Sequence, residues 1–197
     1  MGHEYRVRTT AGAWLFLALL VLLLPLPWLL AVCISSIFHE LCHLAAVKLT
    51  GGSVTGLSLR ADGAHLETLP MPPLKSAVCS LAGPLGALLL LIPARWMPRT
   101  ALCAAVQSAY HLLPLFPLDG GRAMRSLGEH FGWNRHALST VEFAFLGILT
   151  FAGLYLTVAA GLGLIPICLS AAMIFRACRE KFLANRAGTE YNRFDYR

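Results

Sequence analysis

Residues 27–49 read PWLLAVCISSIFHELCHLAAVKL, an unbroken apolar run that carries an H-E-x-x-H pattern from His39 to His43. At about 1.5 Å of rise per residue, a helix of that length crosses the roughly 30 Å hydrocarbon core of a bilayer. An acid at the centre of such a helix costs about 2.5–3.5 kcal/mol on insertion scales and is rarely kept without a partner. Two histidines four residues apart share one helix face, so both imidazoles can reach one ion. Glu40 lies about 100° round from His39, close enough to act on a water at that ion. The spacing therefore suits a water-activating metal centre, with Zn2+ as the expected cofactor.

The rest of the chain has the same character. Of its 197 residues 57% are hydrophobic and only 13% charged, with a mean hydropathy of +0.65, which excludes an ordinary soluble domain. The patterning predicts an all-α polytopic membrane protein with about six transmembrane helices, at 11–25, 27–49, 75–94, 100–113, 137–159 and 162–182. Pro25 and Pro27 split the first pair into a tight helical hairpin, and Gly51-Gly52 ends the second helix. From Ser53 to Leu69 the pattern alternates around an Ala-Asp-Gly turn at 61–63, predicting a small membrane-associated β-hairpin between helices two and three. Residues 1–182 form the expected membrane-embedded unit, and 183–197 a polar tail. A signal peptide would suit the basic stretch ahead of Ala11, but no small-residue cleavage site follows and a second apolar run begins at once.

With the N-terminus in the cytoplasm, fourteen of the sixteen Lys and Arg residues lie on the cytoplasmic side, leaving Arg95 and Arg99 outside. Six spans then put both termini in the cytoplasm. The net charge of +6 comes from loops and helix ends without an aromatic-interleaved patch, so no nucleic-acid partner is expected. The six cysteines sit in or beside apolar runs with no C-x-x-C pair and read as small buried hydrophobes. Cys42, Gly83 and Gly86 read as close-packing positions, Glu142 as a hydrated or snorkelling acid near the interface, and His65, His130 and His136 as surface histidines.

A catalytic zinc needs a third protein ligand and an open position. Asp119 is the candidate, following His111-Leu112-Leu113-Pro114-Leu115-Phe116-Pro117-Leu118. Its two prolines free backbone groups that are tolerated at membrane depth only where they line a cavity. Gly120-Gly121 lets the chain pass close to the metal. The competing reading makes Asp119 an N-cap for an amphipathic helix at 121–131.

H-E-x-x-H on one span and P-x-x-P-L-D-G-G on another resemble the site-2 protease family of intramembrane zinc metalloproteases. The similarity runs from about Trp28 to Arg125, includes Ala82-Gly83-Pro84, and is nearest to the compact branch typified by the stage IV sporulation protein FB. The resemblance implies a six-helix protease of a bacterial cell membrane, cutting membrane-spanning protein substrates within the bilayer. It implies His39, His43 and Asp119 as zinc ligands and Glu40 as the base. It further implies substrate positioning by His111, Pro114, Pro117 and Gly120, and a 53–69 hairpin whose edge pairs with unwound substrate. A separate regulatory membrane protein is a further expected partner. The sequence departs from the family at His111 and Ala87, where Asn is usual, and shows no counterpart of the sporulation enzyme's C-terminal domain and no PDZ-like insertion. Two other classes use similar residues. A metal or proton transporter would favour a continuous polar path, to which Arg95 and Arg99 do not lead; a membrane-binding pseudoprotease would lose the base, yet Glu40 is present.

Overall fold

The computed structural model describes residues 6–60 and 63–159. The expected sixth span at 162–182, the tail at 183–197 and most of the 61–63 turn lie outside the described residues. A short strand, β1 (Arg6–Thr9), leads into helix α1 (Ala11–Leu23), whose N-cap Thr10 accepts a hydrogen bond from the Ala13 amide at 3.3 Å. Pro25, in an extended conformation, stops α1 and caps α2 (Leu26–Leu49). Gly51, at φ +77, turns the chain out of α2 through a backbone conformation that side-chain-bearing residues rarely adopt.

The predicted hairpin is present as β2 (Val54–Arg60) and β3 (Gly63–Thr68), paired antiparallel with a bulge between Val54 and Gly56. It is larger than expected, because β1 adds to β2 in parallel and makes a three-stranded sheet of order β1-β2-β3. α3 (Pro73–Ala87) carries Pro84 inside and runs on as a 3-10 helix, Leu88–Arg95. α4 (Pro98–His111), α5 (Asp119–His130) and α6 (Arg135–Ala159) follow.

Among the described residues, three helical segments are long and apolar enough to cross a membrane: Leu26–Leu49, Pro73–Arg95 and His136–Tyr155. α1 and α4, with 13 and 14 residues, lie close to the expected 11–25 and 100–113 and are shorter than the other apolar helices. Helices of that size reach only about 20 Å, and the prolines at 25, 114 and 117 set the limit. The protein is apolar outward, with Leu22, Ile92 and Val158 at least 77% exposed. Its interior is built from small residues such as Ala31, Ala77, Ala87, Ala101 and Ala104. This is the inverse of a soluble core and suits helices that pack closely while facing lipid. α2 sits centrally, against α3 on one side and α4 on the other, so its histidine face is enclosed by protein.

Candidate metal centre

α2 brings His39 and His43 onto its enclosed face, with His39 fully buried and His43 partly so. The turn after α4 delivers Asp119 to the same point. His39 Nε2 lies 3.1 Å from His43 Nε2 and 3.1 Å from Asp119 Oδ2, and His43 Nε2 lies 3.4 Å from Asp119 Oδ2. Donors bound tetrahedrally at 2.0–2.1 Å from a zinc ion would stand about 3.3 Å apart, so the triangle has the dimensions of one face of such a site. Its chemistry fits as well. His43 Nδ1 donates to the Cys79 carbonyl at 2.7 Å, which fixes the proton on Nδ1 and leaves the Nε2 lone pair facing His39 and Asp119. Converging lone pairs and a carboxylate repel one another unless a cation or a shared proton lies between them.

His111, at the end of α4, places Nδ1 2.7 Å from the same Asp119 Oδ2. An ionised carboxylate only accepts, so the His111 proton sits on Nδ1. Ligand atoms of His39, His111 and Asp119 also fall within 4.8 Å of one another. Burial alone would raise the Asp119 pKa, but the His111 hydrogen bond, with the His39 and His43 imidazoles gathered on the same oxygen, outweighs it and holds the carboxyl well below the usual carboxylate range. Asp119 is the first residue of α5, and the N-cap is Leu118 with no side-chain cap, so its carboxylate is directed to the histidines instead of capping the helix. α5 begins two residues earlier than the expected 121.

Glu40, His43, His111 and Asp119 open onto one cavity of about 350 Å3. Ala64, Leu66 and Thr68, alternate residues of β3, form part of its wall, with Tyr110, Phe116 and Pro117 among the other lining residues. Pro114 and Gly120 do not line it. Gly120 is buried where a Cβ would overlap the Leu112 carbonyl, and Gly121 stands likewise against the Leu115 backbone, so the glycine pair folds the turn back on itself. Pro117 follows a cis peptide bond.

Several site features were invisible in the sequence. Gly83 faces His43 so closely that a Cβ there would overlap the imidazole, while Gly86 faces Cys42. The small-residue pattern on α3 signalled packing, but not that its partner was a histidine. Glu142, read as hydrated, is 7% exposed and takes two hydrogen bonds of 2.8 Å from Arg125. Among buried side-chain polar atoms of the described residues, His39 Nδ1 and Ser108 Oγ have no hydrogen-bond partner.

Comparison with known proteins gives three findings. A profile of the family described as Peptidase M50B-like matches residues 12–125. The structure is similar to that of the site-2 protease from Methanocaldococcus jannaschii, with a TM-score of 0.61, 20% sequence identity, and coverage of 91% of this chain and 92% of that one. No curated protein matches.

Proposed function

Since the chain belongs to the M50B-like peptidase family, we propose that it is an intramembrane zinc metalloprotease cutting membrane-spanning protein substrates as a step in regulated proteolysis. The observation that carries this reading is the 3.1, 3.1 and 3.4 Å triangle of His39, His43 and Asp119, beside a glutamate on the wall of a cavity. In this assignment those three residues hold the ion. Bound zinc would polarise the scissile carbonyl and lower the pKa of water toward neutral. Glu40 takes the proton of the attacking water and delivers it to the leaving amide nitrogen. The Cys79 carbonyl keeps His43 in the ligating tautomer, and His111 orients the Asp119 carboxylate.

A helical peptide bond is shielded by its own hydrogen bonds, so the substrate must be extended before attack. β3 supplies a template: β2 occupies one of its edges, and its alternate residues face the cavity. An unwound substrate segment pairing beside β3 would recover backbone hydrogen bonds while its scissile bond reaches Glu40. The same reading puts the catalytic cavity toward the cytoplasm, with both termini there, in a bacterial cell membrane. Likeness to the stage IV sporulation FB branch belongs to this proposal too. Co-expression with candidate single-span proteins tests the activity: wild type should release a fragment and Glu40→Gln should not. Equal release by both would sink the assignment of the base.

A further inference from the structure

The segment leading into Asp119, the first residue of α5, is not held by a continuous helix, since Pro114 and Pro117 interrupt helical hydrogen bonding between α4 and α5. Something else must fix it to within a few tenths of an ångström if three donors are to keep one geometry. His111 holds the carboxylate itself, while Leu115 and Leu118 pack against Leu146 of α6. Between these lies Phe116, and over its ring, 3.9 Å from the centroid, stands the guanidinium of Arg125. The same guanidinium is clamped by Glu142 through Nε to Oε1 and Nη2 to Oε2, both 2.8 Å. Glu142 lies one helical turn before Leu146, so α6 grips the turn twice, once by an ion pair acting through an aromatic ring and once by apolar packing.

The geometry points to Arg125 as a positioning residue for the metal centre, joining Glu142 of α6 to the Phe116–Leu118 turn so that docking of α6 and placement of the Asp119 carboxylate form one unit. The inference rests on the proposed zinc site. A planar five-donor cation is suited to both contacts at once, since its edge meets a carboxylate bidentately while its face covers an aromatic ring. Glu142 is 7% exposed, and an acid so enclosed is kept where it has a defined partner. Arg125 also lines the 350 Å3 catalytic cavity on one side and a second space of about 570 Å3 between α5 and α6 on the other. Movement of α6 away from α5 would therefore be felt at the turn before the metal carboxylate through Arg125 as well as through the Leu146 packing.

Purified, zinc-loaded full-length protein tests the idea through two readouts, zinc release to an excess of chelator and the separation of kcat from KM. Arg125→Glu and Glu142→Arg should each speed zinc release roughly tenfold to a hundredfold and lower kcat with little change in KM, the range found when groups supporting metal ligands are removed. The double exchange Arg125→Glu/Glu142→Arg should recover a large part of the retention. Should the reversals fail to fold, Glu142→Gln and Phe116→Leu break the two contacts separately, and both should speed release. Unchanged release in folded Glu142→Gln and Phe116→Leu, or faster release without recovery in the double exchange, overturns the inference. A wild type that retains zinc but cuts nothing refutes the protease reading and leaves the release assay to decide; one that holds no zinc overturns both.

Discussion

His111 stands where the family usually has Asn, yet the two side chains offer a donor at the same place. His Nδ1 and Asn Nδ2 are each one bond beyond Cγ, and it is Nδ1 that meets Asp119 Oδ2 at 2.7 Å. His111→Asn should accordingly keep zinc and most turnover, whereas His111→Ala should weaken zinc binding by roughly tenfold or more. If His111 were instead a fourth ligand, His111→Asn would open the site, weakening zinc binding while raising the activity of the zinc-loaded form, so zinc affinity and turnover on both variants decide. The base and the ligands separate in the same way. Glu40→Gln should retain full zinc content with turnover down by about 10²-fold or more, while His39→Ala, His43→Ala and Asp119→Ala should lose the ion. Undiminished zinc in Asp119→Ala would remove the third-ligand assignment alone.

At the scale of elements, α2 and α3 approach so closely because Gly83 has no side chain where the His43 ring lies. Gly83→Ala should then displace His43, costing about 1–3 kcal/mol in stability if the helices part or, if they hold, a measurable loss of zinc affinity. Unaltered melting and unaltered zinc affinity together would contradict that contact. The contrast shows what was legible in the sequence. H-E-x-x-H and the Pro-Leu-Asp-Gly-Gly segment spoke plainly, because their chemistry is written in side-chain identity at local spacing. The Gly83–His43 and Arg125–Glu142 contacts join residues far apart in the chain or on different helices, and no periodicity encodes them. β1 escaped notice because four residues, Arg-Val-Arg-Thr, give too few repeats of an alternating pattern to distinguish a strand from a basic flank. α1 and α4 have nearly the expected lengths, α4 starting two residues early and α1 ending two residues before Pro25.

For the whole molecule, the sheet supplies a topological argument independent of charge. β1 precedes α1 and β2 follows α2, yet the two strands pair from Arg6↔Gly56 to Thr9↔Leu59. The α1–α2 hairpin must enter and leave by the same membrane face. The distribution of positive charge favours the cytoplasmic face, an expectation that a labelling experiment checks. In a background without native cysteines, Trp96→Cys, in the exposed turn before α4, should react with an impermeant reagent from outside. Phe131→Cys, exposed at the end of α5, should react only when the reagent reaches the cytoplasm. The reverse pattern would invert the protein in the membrane.

That same strand pairing has a meaning in time. During synthesis Arg6 leaves the ribosome some fifty residues ahead of Gly56, its partner in the sheet. In between, both α1 and α2 must enter the bilayer and turn back, or β2 will not emerge beside the waiting strand. Closure of the sheet is thus a record that insertion of the first hairpin succeeded, made before Asp119, the third proposed metal ligand, has been translated. A chain whose first hairpin goes astray would be left with an open strand edge, the kind of surface by which faulty molecules are bound or aggregate.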